Sequence, residues 1–226
     1  MKPTLVITGG TRGLGRELSL VFAKNGYRVV ALYQSNHVAA ESLKEECEKK
    51  GWEIAITAFD LASGAGFALS HDDSEITFIH NACAPFSPKP FHLQDAHEIL
   101  QGLGVSIVGA HNCLKGLLRP MVKQKRGIAV AILTAATESY PKGFSTYLAG
   151  KHALRALWKS LAREYGDLGI RFLTASPGFM ETELTQHWDA RLKQGMSQQL
   201  SPQQIARAIF DRCQNLDADF SELLFN

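Results

Sequence analysis

Apolar residues along this chain follow two periods that alternate with each other. Residues 5–7 form a short β-branched run, and beyond the next glycines Leu18, Val21 and Phe22 recur at helical spacing. A short apolar run bounded by glycines predicts a buried strand, and a period of three to four residues predicts an amphipathic helix. The chain therefore opens with a strand followed directly by a helix.

The same alternation continues along the rest of the chain. It predicts further strands at residues 27–33, 53–59, 76–80, 128–134 and 170–175, and an edge strand at 223–225. It predicts helices at 38–50, at 94–124 with a break near 102–104, from Thr146 and from Ser201, and a stunted helix within 62–74. Alternation without a repeat or a linker predicts one domain over residues 1–226, an α/β fold with a single doubly wound parallel sheet and helices on both faces.

Composition and charge exclude several classes of protein. Of the 226 residues 45% are hydrophobic and 20% are charged, which is typical of a globular domain. A net charge of +2 gives no electrostatic argument for nucleic acid or a membrane as partner. Four scattered cysteines without a C-x-x-C spacing indicate neither a metal site nor a disulfide framework. The first apolar stretch is too short for a signal peptide, so we expect a cytoplasmic setting.

A glycine-rich turn, Thr8 to Gly15, joins the first strand to the first helix. Glycines at this junction let a backbone approach a pyrophosphate closely, and the N–H groups of the helix N-terminus stabilise the anion. An ordinary βα turn is the alternative, but the strand–helix context favours the dinucleotide site of a Rossmann fold. Its candidate contacts are Gly9, Thr11, Arg12, Gly13, Leu14 and Gly15.

The end of the second strand indicates which dinucleotide is preferred. Sites for NAD commonly place an acidic residue there to bind the ribose 2′-hydroxyl. This chain reads Tyr33-Gln34-Ser35-Asn36 instead, without an acid, and Arg12 in the glycine turn is available for an anion. A 2′-phosphate held by Arg12 and Ser35 therefore favours NADPH (NADP+). The alternative is an Arg12 that is simply solvated.

Tyr147 and Lys151 stand four residues apart in a segment that opens a predicted helix. At this spacing the two side chains share one face of the helix. A nearby ammonium group favours the phenolate, so the phenol could act as a general acid or base closer to neutral pH. The alternative for such a pair is an exposed lysine beside a half-buried tyrosine.

Five ordered motifs resemble those of the short-chain dehydrogenase/reductase family, in its single-domain branch. They are Thr8-Gly9-x3-Gly13-x-Gly15, Asp60, Asn81-Ala82, Tyr147-x3-Lys151 and Pro177-Gly178-x3-Thr182. The first and last are most similar to 3-oxoacyl-[acyl-carrier-protein] reductases and related carbonyl reductases. The resemblance implies that Tyr147 donates the proton, that Lys151 holds the nicotinamide ribose and lowers the pKa of the phenol, and that further residues contact the cofactor: Asp60, Leu61, Asn81, Ala82, Pro177, Gly178 and Thr182.

Several positions depart from the family pattern. The family places a serine thirteen residues before the tyrosine, where this chain has Thr134, so the resemblance makes Thr134 the substrate-orienting hydroxyl. Thr137 and Ser139 are the other candidates for that role. The family's water-holding asparagine is Ser106 here, and Cys83 follows Ala82 where a glycine is usual. The chain also lacks the usual Gly-Gly after its last strand, so both a homodimer and a homotetramer remain open.

The resemblance implies reduction of a ketone to a secondary alcohol. The substrate is expected to be a small-molecule or carrier-protein-bound carbonyl compound, such as a 3-oxoacyl thioester, with Lys125 and Arg126 near the cleft as a patch for an acidic carrier. We expect the pocket roof to come from Phe86, Phe144, Met180 and residues 183–196, including Trp188. Two alternatives remain: a nucleotide-binding sensor or scaffold with weakened catalysis, and an isomerase or dehydratase on the same fold.

Overall fold

Seven parallel strands form one sheet in the computed structural model, which describes residues 2–69, 74–189, 193, 200–215 and 221–225. The sheet order is β3-β2-β1-β4-β5-β6-β7. The strands are β1 (Thr4–Thr8), β2 (Arg28–Tyr33), β3 (Ile54–Ala58), β4 (Ile76–His80), β5 (Gly127–Ile132), β6 (Ile170–Ser176) and β7 (Glu222–Leu224). The order reverses beside β1, so the carboxyl ends of β1 and β4 open the crevice where such sheets bind ligands.

Seven α-helices accompany these strands in the described ranges. They are α1 (Gly13–Lys24), α2 (His37–Lys49), α3 (Ala96–Leu103), α4 (Gly109–Gln124), α5 (Ala136–Ser139), α6 (Ser145–Tyr165) and α7 (Pro202–Gln214). The predicted start of α7 is confirmed, since Ser201 and Gln204 form a reciprocal capping box with Pro202 in the first turn. Among the described helices, none is long and apolar enough to cross a membrane.

The predicted doubly wound sheet is confirmed, with a hydrophobic core on each face. Strand residues such as Ile7 and Val130 pack with α1, α2 and α7, while their neighbours Val6 and Ala129 pack with α4 and α6. Successive side chains of a strand point to opposite faces, so a buried sheet needs apolar residues at every position. This explains the continuous apolar runs in the sequence. The predicted edge strand near residue 223 is β7, at the end of the sheet beside β6.

Two predicted elements differ in the structure. Residues 61–69 form turns and irregular chain rather than a stunted helix, and residues 70–73 lie outside the described ranges. One cause is local, since Gly64 has φ +77°. The other is a tertiary contact: the amide of Phe67 donates to the carbonyl of Asn112 in α4 (3.1 Å), and the Phe67 ring packs in the core. The predicted break near residues 102–104 is a π turn, Gly104–Val108, that joins α3 to α4 without ending the helix.

Candidate active site

The motifs of the sequence meet at the carboxyl ends of four neighbouring strands. The glycine turn follows β1, Asn81 follows β4, Thr134 lies two residues beyond β5, and Pro177 follows β6. The segments that follow β5 and β6 are joined by the hydrogen bond from the Ala135 amide to the Pro177 carbonyl (2.8 Å). Because the strands are parallel and adjacent, one edge of the sheet holds all of these segments.

The glycine turn is held in a shape that side chains would prevent. Gly9 and Gly13 have φ values of +63° and +50°, and a Cβ on Gly15 would lie 2.0 Å from the carbonyl oxygen of Gly9. The side-chain amide of Asn81 donates to the carbonyls of Gly9 (3.0 Å) and Thr8 (3.2 Å). Asn81 therefore fixes the turn directly; its predicted contact with a cofactor stays a prediction.

The other candidate cofactor residues surround this turn at different depths. Thr11, Leu14 and Leu61 are buried, whereas Arg12, Ser35 and Asp60 are exposed. A Cβ on Gly13 would lie 3.5 Å from the Thr182 Cβ, so the segment after β6 closes over the glycine turn. The Asp60 carboxylate accepts from the Ala62 amide (3.0 Å), which shapes the loop after β3.

These residues fit a dinucleotide phosphate. Arg12 is the N-cap residue of α1 and, within the described part of the chain, provides no side-chain cap, so the first amide groups of α1 are available to an anion. The turn presents backbone rather than side chains, and the guanidinium of Arg12 is exposed beside it. The three residues directly after β2, Gln34, Ser35 and Asn36, carry no carboxylate to repel a second phosphate. The chemistry of the cradle therefore matches a phosphorylated, anionic ligand.

Tyr147 and Lys151 both face the inside of this crevice from the first two turns of α6. Lys151 is only 3% exposed, and its Nζ donates to the carbonyl of Ile132 (2.8 Å). The same Nζ lies 5.6 Å from the centroid of the Tyr147 ring. This burial rules out the alternative of an exposed surface lysine. One hydrogen bond leaves further donor capacity on an ammonium group, which can form three.

Of the three candidate hydroxyl groups, the structure brings Thr134 to the tyrosine. The Thr134 side chain lies close enough to the Tyr147 phenol to act on its pKa, and its Oγ1 accepts from the Ala136 amide (3.2 Å). Thr137 is buried, and its hydroxyl donates a hydrogen bond to the Thr134 carbonyl (2.7 Å), while Ser139 is exposed. Thr134 and Tyr147 can therefore meet one substrate oxygen together.

The pKa of Tyr147 differs from the expectation. The sequence predicts a phenol with a lowered pKa, but in the structure burial raises the Tyr147 pKa above its ordinary value. Cys83 adds to this increase, and the nearby Thr134 hydroxyl opposes it. Burial also lowers the pKa of Lys151. Removing either group from water disfavours its charged form, and this effect dominates here. The phenol therefore keeps its proton at neutral pH.

An aromatic cluster covers the tyrosine. Phe86 stacks face to face on the Tyr147 ring, with centroids 4.1 Å apart and planes 5° from parallel. Phe144 and Trp188 pack edge-on against Phe86 at 5.4 and 5.1 Å, and the Trp188 indole donates to the Phe86 carbonyl (3.3 Å). The predicted roof residues Phe86, Phe144 and Trp188 therefore come together, and the sequence does not predict the stacking of Phe86 on Tyr147.

Other roof residues behave differently. Met180 packs against the core on the α1 and α7 side. Residues 190–192 and 194–196 of the predicted roof lie outside the described ranges. Phe179, which is not among the predicted roof residues, contacts Trp188 with centroids 6.2 Å apart. Its place directly after Pro177-Gly178 was the only available signal.

Ser106 lies in the π turn, next to a narrow crevice behind Tyr147. The crevice has a volume of about 40 Å³ and is lined by Ser106, Tyr147, Cys83, Thr146 and Gly150, among others. A Cβ on Gly150 would lie 3.6 Å from the Ser106 Oγ, so this glycine keeps the space beside the hydroxyl open. A site for one water needs roughly 10–15 Å³, so the crevice can hold water between Ser106 and the tyrosine.

The basic cluster predicted near the cleft lies at the opposite edge of the sheet. Lys125 and Arg126 directly precede Gly127, which begins β5, whereas the site lies beyond the other end of that strand. Six residues of strand separate the two by roughly 20 Å. Arg126 also forms an ion pair with Glu75 (2.9 Å). The prediction that this cluster adjoins the cleft is wrong, because parallel strands place their two ends at opposite edges.

Known proteins resemble the chain in both sequence and fold. A family model described as short chain dehydrogenase matches residues 3–193. The 3-oxoacyl-[acyl-carrier-protein] reductase FabG of Staphylococcus epidermidis is 25% identical over 206 residues, covering 88% of this chain and 84% of that protein. The uncharacterized oxidoreductase YgfF of Escherichia coli is 27% identical over 189 residues, covering 79% and 76%.

Solved structures share the whole architecture. ElxO with NADP bound matches with a TM-score of 0.78 over 99% of this chain and 97% of that one, at 22% identity. A 3-ketoacyl-(acyl-carrier-protein) reductase from Brucella melitensis, complexed with NADH, matches with a TM-score of 0.85 over 98% and 96%, at 19% identity. At these identities the likeness shows the fold.

Proposed function

The chain belongs to the short-chain dehydrogenase family of oxidoreductases, and from this we propose that it reduces a ketone to a secondary alcohol with NADPH. The observation that carries the proposal is the contact between the Thr134 and Tyr147 side chains beside a buried Lys151. Two hydroxyl groups that converge on one point, with a cation behind them, can bind and protonate a carbonyl oxygen.

The residues divide the reaction between them. The bound cofactor would supply the hydride to the carbonyl carbon. Thr134 and Tyr147 would donate hydrogen bonds to the oxygen as negative charge develops, each contributing about 3 kcal/mol in such a site. Tyr147 would then give its proton to that oxygen. Lys151 would stabilise the phenolate that remains, and water in the crevice beside Ser106 would return a proton to it.

The raised pKa of Tyr147 supports the reductive direction. A general acid must carry its proton at the working pH, and burial favours the neutral phenol. The aromatic cluster of Phe86, Phe144 and Trp188 excludes water from the ring and offers an apolar wall to the substrate. A 3-oxoacyl thioester, whose acyl chain is apolar, is the substrate class we propose first, on the likeness to FabG.

A carbonyl panel tests the proposal. The full chain is incubated with NADPH and either 3-oxoacyl thioesters or simple ketones, and cofactor oxidation is followed by absorbance. We expect oxidation of one NADPH per alcohol formed. Product formation without any absorbance change would indicate an isomerase or dehydratase instead. Tight NADPH binding without turnover across the panel would favour a sensor or scaffold.

Cofactor preference is expected to depend on Arg12. Arg12→Glu should lower kcat/KM for NADPH relative to NADH by roughly 10- to 100-fold, since a charge-assisted hydrogen bond contributes about 1.5–3 kcal/mol. The measurement is kcat/KM with each cofactor at a fixed ketone concentration. Lys24→Glu, at the other end of α1, makes the same charge change and should leave the ratio unaltered. An equal shift in both variants would remove Arg12 from the 2′-phosphate site.

The pH profile of ketone reduction should show an alkaline limb that belongs to Lys151. Burial lowers the pKa of Lys151 below its ordinary 10.5, whereas the Tyr147 pKa lies above its ordinary 10.0. As pH rises, Lys151 therefore loses its proton first, and kcat falls through that lowered pKa. In Lys151→Arg the charge persists, so the residual kcat should fall only at a higher pH. An unchanged limb in this variant would assign it to another group.

Assembly of the chain into a homodimer or homotetramer is part of the proposal. Phe91, Leu93 and Leu100, in and just before α3, are 60–70% exposed. An exposed apolar surface of this kind is common where subunits meet. Sedimentation equilibrium of the full chain would distinguish a monomer, dimer and tetramer.

A further inference from the structure

His80 ends β4 directly beneath the site, and the reaction described above makes no use of it. Its side chain is fully buried on the sheet face that α4 and α6 cover. The imidazole lies near-parallel to the Trp158 indole, with centroids 6.3 Å apart and planes 25° from each other. The Trp158 nitrogen is itself fixed by donation to the Ala129 carbonyl (3.1 Å). The imidazole is thus confined to one orientation.

Hydrogen bonding at Thr8 determines where the His80 proton lies. The Thr8 Oγ1 accepts from the backbone amides of Asn81 and Ala82, each at 3.1 Å. A hydroxyl group has one proton and two acceptor sites, so both acceptor sites are used. The remaining contact of Thr8 Oγ1 is with the His80 Nδ1, at 3.1 Å. The hydroxyl must donate there, which makes Nδ1 an acceptor and puts the imidazole proton on Nε2.

The Nε2–H group is the donor of the ring that the contact with Thr8 does not use. Within the described residues Nε2 is buried and has no hydrogen-bond partner of ordinary geometry. The backbone carbonyls of Val105 and Ser106 lie near enough to the ring to raise its pKa, and the ammonium of Lys151 acts on the same ring. A π turn shifts its carbonyls out of register with the flanking helix, which makes them available to a buried donor. A buried donor of this kind strongly favours such an acceptor.

We propose that His80 is a positioning residue that ties Thr8, at the cofactor turn, to the π turn and so holds Ser106 and Lys151 in place for returning a proton to Tyr147. The proposal rests on the proposed reductase function. On one side Thr8 adjoins Gly9, and on the other the carbonyls belong to the segment that presents Ser106 to the crevice.

Neutrality of the imidazole is part of this role. A charged imidazolium would repel the Lys151 ammonium, the cation that acts on it from α6. The other groups that face the ring are uncharged: the Thr8 hydroxyl from β1 and the two carbonyls of the π turn. Burial lowers the pKa of His80 to about 3, so the ring stays neutral throughout the neutral pH range.

Three substitutions of His80 test its two contacts, with Thr8 and with the π turn, independently. In His80→Asn the side-chain oxygen can replace Nδ1 and keep the Thr8 bond, and in His80→Gln the amide nitrogen can replace the Nε2–H donor. His80→Leu removes both contacts. We expect kcat to fall roughly 10- to 100-fold in the Asn and Leu variants, the range for a misplaced proton-transfer group, while Gln retains most of it. KM for the ketone and Kd for NADPH should stay within about twofold.

Isotope effects distinguish this role from a general loss of structure. In His80→Leu the solvent deuterium isotope effect on kcat should rise, and the effect of deuterated NADPH should fall, because proton return becomes limiting. Thr77→Val is the matched control: Thr77 is buried on the same strand but faces the α1 and α7 side. Isotope effects and kcat in His80→Leu equal to those of the parent would overturn the proposal, as would equal losses in His80→Gln and His80→Leu.

A measurement on the parent protein needs no variant and no turnover. With ¹⁵N-labelled histidine, the His80 signals should show a neutral ring with the proton on Nε2 between pH 6 and 8, and the amides of the π turn should be protected from hydrogen exchange. A proton on Nδ1, or a cation at pH 7, would overturn the proposal even if the variants fail to fold. A parent that binds NADPH but reduces no carbonyl would overturn the reductase function instead, and these spectra would still decide the His80 contacts.

Discussion

Tyr147→Phe is expected to lower NADPH-dependent ketone reduction by roughly 10³-fold, within the range that general acid catalysis contributes. The substitution removes the phenolic hydroxyl group, and with it the proton that is donated, and leaves the ring. Phe86 stacks on that ring at 4.1 Å, and a phenylalanine keeps this contact. Lys151 keeps its hydrogen bond to the Ile132 carbonyl, so we expect the surrounding structure to stay unchanged. The loss should therefore appear in kcat.

Cofactor affinity is the internal control for this variant. Kd for NADPH, measured by quenching of protein fluorescence, should stay within about twofold of the parent, because the glycine turn is untouched. Tyr165→Phe, near the end of the same helix, makes the same chemical change away from the site and should keep the parent's rate. A Tyr147→Phe variant that reduces a ketone as fast as the parent would remove Tyr147 as the acid.

Gly15→Ala is expected to weaken cofactor binding severely, with Kd for NADPH raised by roughly 100-fold or more. A Cβ there would lie 2.0 Å from the Gly9 carbonyl oxygen and 2.6 Å from the Asn81 Nδ2, so the turn must move. Overpacking of this kind also destabilises a fold by about 1–3 kcal/mol. The measurements are NADPH titration and thermal unfolding of the same preparation.

Gly166→Ala is the matched control for the glycine substitution. A Cβ there meets nothing within 4 Å, and Gly166 has φ −58°, which any residue adopts. This variant should bind NADPH like the parent. If Gly15→Ala folds and binds the cofactor with the parent's affinity, the turn does not hold the phosphates as proposed.

Periodicity alone predicted most of the fold. Strands at 76–80 and 170–175 and the start of α7 were located within a residue, since buried parallel strands are continuously apolar and caps have a local chemistry. Because glycines lower helix propensity, the sequence predicts a break near the π turn Gly104–Val108, whereas the structure shows helical angles on both sides of it. The packing of Ser106 against α6, which supports this turn, is not visible in a local pattern.

The sequence by itself determined the order of strands and helices along the chain, the glycine turn and the spacing of Tyr147 from Lys151, because each depends on neighbours along the chain. Only the tertiary structure decided the contact of Thr134 with Tyr147, the raised pKa of that phenol and the distance of Lys125 from the site. It also decided the tautomer of His80, through Thr8, which lies 72 residues away in the chain. Desolvation and hydrogen bonding depend on which residues surround a group in space, and those residues come from several strands at once.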